Sequence, residues 1–286
     1  MSALPERIGP YTITGKLGEG GMGIVYSAND TRLNRPVALK MILDSNDDED
    51  SRKRFLREAQ AAARVTHPNI CRLYDIGEVD GRPYLVMELL EGESVSERLK
   101  RGPMPLVEAL QVMLSILSAL AALHKSSIVH RDLKPSNVFL STHGVKVLDF
   151  GLAKPVSPVP DDGRTQTELT GHGVVAGTPR YSSPEQLTGK PVDARSDLFA
   201  AAAILFETLA GKPAFAGNSA MEIFHSVLYE SPPALSGSQA ISAVDRIARR
   251  AMDKNPANRS PAPPSCSLGK ETRTTTTMES GRLSGR

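Results

Sequence analysis

Cysteine is scarce. Cys71 and Cys266 are the only two and stand far apart, so no disulfide framework organises the chain. Neither sign of charge dominates: 34 Lys plus Arg face 32 Asp plus Glu, a net charge of +2, which leaves no basic footprint for nucleic acid. The six histidines fall at no metal-ligand spacing, which argues against a zinc centre. No internal repeat is found. The opening residues, MSALPERIGPYTI, contain no apolar signal core, so a reducing, cytoplasmic setting is expected. One run, Leu106 to Leu123, is long enough to span a bilayer. In it Glu108, Gln111, Ser115 and Ser118 recur at steps of three and four, opposite Leu106, Leu110, Met113, Leu114 and Leu117. That pattern predicts an amphipathic helix in a core, and no membrane segment.

With 40% hydrophobic residues, the chain can bury one good core or two small lobes sharing a cleft. The first third reads as strands. Tyr11–Leu17 and Ile24–Ala28 flank a glycine cluster, Val37–Leu43 follows the turn NDTRLNRP, and ICRLYDIGEV and YLVMELL meet at Asp80-Gly81. Between them, RKRFLREAQAAARV places Phe55, Leu56, Ala59 and Ala63 at helical spacing behind the acidic run Asp47–Asp50, which suits a helix N-terminus. From Leu106 onward the character is helical with long loops, one running from Lys154 to Tyr181. The prolines and threonines after Arg259 do not sustain a helix. The expected fold class is α+β and bilobal. A small β-rich lobe with one main helix (8–90) joins, at a hinge near Leu89–Gly92, a larger, mainly helical lobe (91–260). A low-complexity, disordered tail follows (261–286).

LGEGGMGIVY holds Gly18, Gly20 and Gly23 in G-x-G-x-x-G spacing, which lets backbone N–H groups approach an anion. A dinucleotide fold needs a helix directly after the glycines, but IVYSA is strand-like. The G-x-x-x-x-G-K-[ST] loop is not met either, because Pro10 stands where its first glycine belongs and Leu17 replaces Ser/Thr. A hairpin over phosphates remains. VALK ends in Lys40, a compact charge for phosphate oxygens. Glu58, on the next helix, can pair with it and aim it. HRDLKPSN then packs Asp132, Lys134 and Asn137 into eight residues, followed by VKVLDFG with Asp149. Asn137 and Asp149 offer oxygens to a divalent cation bridging phosphates. Asp132 can orient a hydroxyl and accept its proton, and Lys134 can neutralise the transferring group. The set fits transfer of a γ-phosphate to an alcohol.

In this order, GEGGMGIVY, VALK, REA, HRDLKPSN and VLDFG resemble the eukaryotic-like protein kinase family, most closely bacterial serine/threonine kinases. The resemblance covers roughly Ile8 to Arg259. It implies ATP in the cleft with Mg²⁺, or Mn²⁺ as the alternative metal. It assigns Lys40, Glu58, Asp132 and Lys134 to catalysis and Asn137 and Asp149 to metal binding. Nucleotide contacts fall on Leu17, Gly18, Glu19, Gly20, Gly21, Met22, Gly23, Ile24, Val25, Ala38, Lys40, Met87 (gatekeeper), Glu88 and Leu90 (hinge), and Phe139. It further implies that Lys134 and Thr178 mark a Ser/Thr acceptor in a protein substrate. Arg131 would bind a phosphate on Thr165, Thr167 or Thr170, added by a second copy of the chain in a homodimer. Structural roles go to His67 and to His130, expected to pack near Phe150. Arg259 would pair with Glu185. Ser183 begins SPE where APE is usual, and Ala202 stands where relatives have glycine. The Pro/Thr-rich end departs from the family's final helix, as a truncation or frameshift would. A non-catalytic pseudokinase or nucleotide-binding scaffold is the alternative should that end weaken the large lobe.

Overall fold

The computed structural model describes residues 4–20, 23–42, 49–149 and 179–259. Six antiparallel strands, β1 (Arg7–Ile8), β2 (Tyr11–Gly20), β3 (Gly23–Asp30), β4 (Arg35–Ile42), β5 (Leu73–Val79) and β6 (Arg82–Glu88), form one sheet in the order β1-β2-β3-β4-β6-β5. Alternation sorts their side chains between two faces. Tyr11, Tyr26, Val37, Leu39, Met41, Tyr84 and Val86 bury one another on one face. Ile42, Leu85, Leu73, Ile76 and Met87 pack on the other, against Phe55 and the fully buried Ala59 of helix α1 (Glu49–Ala63). The Asp80-Gly81 turn between β5 and β6 has φ of 50° and 74°. That left-handed pair is what a two-residue hairpin with a primed turn demands.

After β6 the chain forms β7 (Gly92–Ser94), α2 (Val95–Leu99) and α3 (Leu106–Lys125). Ser94 and Glu97 cap α2 reciprocally. β7 pairs with β8 (Val138–Ser141), and β8 with β9 (Gly144–Val147), as a small second sheet. An Ile70–Val147 bridge joins this sheet to the segment entering β5. The remaining helices are α4 (Pro184–Leu187), α5 (Ala194–Ala210), α6 (Ala220–Tyr229) and α7 (Gln239–Ala251). Helix α5 is the axle of this part. Leu198 to Phe206 are all buried, and Phe199 stacks on Phe215 at 5.5 Å.

Helix α3 is long and apolar enough to cross a membrane by length and composition, yet it lies against α5 in the helical core. Its buried face is not the expected one. Ala109, Val112, Met113, Ile116, Ala119, Leu120 and Leu123 are inside, whereas Leu114 is 67% exposed and Leu106, Leu110 and Leu117 are only half-buried. The physical reason is size. Ala109 and Ala119 of α3 and the alanine run of α5 are buried in the same core, and small side chains let packed helices approach closely. Ala202 is buried in the same run.

Candidate active site

The loop after α3 runs against the preferences of an L-chain. Arg131 sits at φ 64° and Asp149 at φ 52°, left-handed conformations for side chains that cost free energy unless their surroundings hold them. The holding group is Asp197, 1% exposed in the first turn of α5. Its carboxylate accepts the backbone N–H of His130 at 2.9 Å and of Arg131 at 3.0 Å, and the His124 Nε2–H at 2.7 Å. These two amides point away from any strand ladder, and a buried amide left unpaired costs about 1–3 kcal/mol. Gln186 of α4 donates to Arg131 O at 2.7 Å and ties down the carbonyl side of the same residue. Fully buried His130 donates Nε2–H to Leu148 O at 3.0 Å, which locks the residue before Asp149. Its Nδ1 receives Asp132 N–H at 3.3 Å. Its expected neighbour Phe150 lies outside the described residues, as do Gly21, Met22, Thr165, Thr167, Thr170 and Thr178. His67 has the expected structural role: Nδ1 accepts Asn69 N–H at 3.1 Å, Ser118 Oγ lies 3.2 Å from Nε2, and burial holds its pKa below the ordinary value.

Within this frame the expected polar residues converge. Lys134 Nζ donates to Asp132 Oδ2 at 2.8 Å. Buried Asn137, in the 3-10 turn Pro135–Asn137, spends its amide N–H₂ on Asp132, at 2.8 Å to the backbone O and 3.1 Å to Oδ2. That orientation leaves the acceptor end, Oδ1, turned to other duty. Leu148 N–H bonds Asn137 O at 2.8 Å, so the segment that leads from β9 to Asp149 is pinned to the loop carrying Asp132. Lys40, 6% exposed on β4, reaches Asp149 Oδ2 at 2.8 Å across the cleft. Glu58 stands half-buried on α1, beside buried Ala59.

Strand register collects the expected nucleotide residues. Val25 opposes Lys40 and Ala38 opposes Met87. Ala38 and Lys40 are two apart on β4, so all four share one face. Glu88, Leu90 and Phe139 are half-buried. Leu17, 55% exposed, and half-buried Ile24 sit on the hairpin above, where Glu19 is paired with Lys16.

The glycines separate into two kinds. Gly23 has φ 145°, and a Cβ there would lie 1.9 Å from Met41 O, so the fold itself requires glycine. Gly18 and Gly20 have ordinary φ and open space around them. Neither packing nor conformation demands glycine at those two positions. What a side chain there would obstruct is access to the hairpin backbone from outside, which a bound phosphate needs. Gly23→Ala should therefore lower stability by about 2 kcal/mol or more. Gly20→Ala should leave the melting temperature unchanged and raise the KM for ATP. A Gly20→Ala protein with unaltered KM would remove the phosphate role from this glycine.

The donor set also fits a divalent ion. Among the described residues no three His, Cys, Asp or Glu cluster into a complete cage. One amide oxygen and one carboxylate, completed by phosphate and water, is the pattern that suits Mg²⁺.

Below the site, Arg259 makes a forked pair with Glu185, Nη1–Oε1 at 2.7 Å and Nη2–Oε2 at 2.9 Å, both residues buried. Burial alone would raise the Glu185 pKa, but Arg259 and Ser196 outweigh it and hold the carboxyl below its ordinary value. Tyr181, beside the expected acceptor-binding segment, donates to Glu207 at 2.5 Å, and burial pushes both pKa values up. Asp197, Gln186 and Glu207 escape sequence reasoning. Only Asp197 carries a signal, as a charge opening an otherwise apolar helix.

A two-part fold with a glycine hairpin, a buried strand lysine and an Asp/Asn/Asp cluster in its cleft defines a phosphoryl-transfer class. A model of the protein kinase domain matches residues 11–263, and the chain belongs to that family. It is 39% identical over 258 residues to serine/threonine-protein kinase PknB of Mycobacterium tuberculosis, covering 87% of this chain and 40% of that protein. It is 38% identical over 263 residues to the probable serine/threonine-protein kinase PknB of Corynebacterium glutamicum, covering 87% of this chain and 40% of that protein. The chain thus spans about two fifths of the length of these relatives. The crystal structure of the M. tuberculosis PknI kinase domain superimposes with a TM-score of 0.70 at 27% identity, over 91% of this chain and 94% of that one.

Proposed function

We propose that this chain is a serine/threonine protein kinase, moving the γ-phosphoryl group of ATP to hydroxyls of protein substrates. The observation that carries the reading is the single hydrogen-bonded unit Lys134–Asp132–Asn137–Leu148, which runs directly into Asp149 and its partner Lys40. Asp132 orients the acceptor hydroxyl and takes its proton at the carboxylate. Lys134, held against Asp132, offsets charge on the group in transit. Lys40 meets phosphate oxygens and pairs with Glu58 when the nucleotide is seated. Gly18 to Gly23 cover the phosphates, while Val25, Ala38, Met87, Glu88, Leu90 and Phe139 enclose the base. Asn137 Oδ1 and the Asp149 carboxylate would hold Mg²⁺, or Mn²⁺, which when bound screens the phosphate charges.

The names of the relatives and the serine/threonine form of HRDLKPSN support the acceptor type. Support for a phosphorylated activation segment comes from Arg131, whose Nε is buried without a partner among the described residues. A phosphate on Thr165, Thr167 or Thr170, placed by a second copy of the chain, would fill that need. The two lobes divide at the hinge, 8–90 and 91–260, and the reaction belongs to the cytoplasm, where ATP is abundant and the buried Cys71 thiol stays reduced. No observation favours a scaffold without catalysis, since the large lobe is anchored through Arg259. Incubation of the purified chain with γ-labelled ATP and Mg²⁺, with phosphosite mapping, should put label on serine and threonine, including at least one of the three loop threonines. No incorporation, or label on tyrosine alone, would contradict the reading.

A further inference from the structure

Glu88 closes β6 at the point where the sheet stops supporting the chain. The pairing with β4 ends at Val37–Glu88 and that with β5 at Leu73–Met87. What holds Glu88 beyond the ladder comes from elsewhere. Its side chain reaches Lys146 of β9, with Nζ 2.9 Å from Oε2 and only 12% and 25% of the two side chains exposed. The Glu88 carboxylate also receives Arg72 N–H at 3.3 Å, while Glu88 N–H donates to Arg72 O at 2.9 Å. The next residue back, Cys71, places Sγ 3.8 Å from Glu88 O and donates its N–H to Val147 O at 2.9 Å. Val147 in turn donates to Asn69 O at 2.8 Å. Lys146 is three residues before Asp149 on the same strand exit. The hinge and the metal-facing carboxylate are therefore two ends of one short bonded segment, and a little-exposed ion pair clamps it.

We infer that Lys146 and Glu88 are positioning residues for the nucleotide. Their ion pair sets the hinge peptide, which meets the base, in register with the strand that presents Asp149 to the phosphates. The inference rests on the kinase reading above. Its physical core is that a base and a triphosphate are covalently linked in one ligand, so both ends bind together only where the protein holds their sites at a separation the ligand can span. Removing one partner leaves the other little hydrated and unpaired beside the hinge, which lets the hinge peptide shift.

The test uses the full chain and a non-hydrolysable ATP analogue with Mg²⁺, with binding measured by calorimetry and turnover on a protein acceptor measured in parallel. Lys146→Met and Glu88→Gln should each weaken analogue binding and raise the KM for ATP about tenfold. For Lys146→Met the kcat at saturating ATP and the KM for the acceptor should stay near wild type. The double variant should be no worse than either single, because both break one interaction. Lys146→Arg, which keeps the charge, should bind like wild type and guards against loss of folding as the cause. Unchanged analogue affinity in both single variants, or fully additive losses in the double, would overturn the positioning role alone. A wild-type chain that binds no analogue would overturn the kinase reading and this inference with it.

Discussion

Replacing Asp132 with alanine should lower turnover roughly a thousandfold, since a positioned general base contributes about 10²–10⁴, while nucleotide affinity stays near wild type. The carboxylate receives Lys134 and Asn137, and both would lose a partner. In the proposed reaction Asp132 meets the acceptor and phosphate binding falls to Lys40, Asp149 and the glycine hairpin, so the effect is expected in the chemical step. Asp132→Asn preserves the shape and one acceptor oxygen but cannot take a proton, so it should lose nearly as much. Stopped single-turnover assays with a protein acceptor separate this from product release. Turnover of Asp132→Ala at the wild-type rate would mean that another group takes the proton.

The second large effect is on stability. Arg259→Ala leaves the Glu185 carboxylate buried and unpaired, which costs about 3–5 kcal/mol. Arg259 also donates to Asp253 O and Arg195 O and lies over the Phe199 ring at 5.0 Å, so the upper end applies. At about 2–4 °C per kcal/mol for a domain of this size, melting should fall by roughly 10 °C or more. The pH dependence has a definite sign. The folded pKa of Glu185 is depressed, so the pair contributes its full stability above the ordinary glutamate value and loses it as pH falls through the folded value. Wild type and Arg259→Ala should therefore converge in stability under acid. Replacing both partners with Glu185→Leu and Arg259→Met should recover much of the loss, because no charge is left buried. A melting temperature for Arg259→Ala within a degree of wild type would show that the large lobe does not depend on this anchor.

Much of the site is legible in sequence because its chemistry is local. Asp132, Lys134 and Asn137 lie within six residues and hydrogen-bond directly, so the motif and the cluster are one object. Strand alternation likewise exposes the shared face of Ala38 and Lys40, two residues apart. What escapes is set by distance along the chain. Asp197 stabilises the strained Arg131 peptide from 66 residues away, and Lys146 reaches Glu88 across 58. Lys40 reaches Asp149, 109 residues on, a contact that no local pattern announces. The buried face of α3 escapes for a different reason. Periodicity identifies the helix, but two faces are apolar, and the choice between them depends on what the rest of the core presents to it.

The measurement that tests the account most directly is a crystal structure with a non-hydrolysable ATP analogue and Mn²⁺, read by the anomalous signal of the metal. The account predicts a peak in coordination contact with Asn137 Oδ1 and the Asp149 carboxylate, phosphates beneath Gly18 to Gly23, and the Asp132 carboxylate beside the γ-phosphate. A metal bound elsewhere, or phosphates lying away from that hairpin, would contradict it.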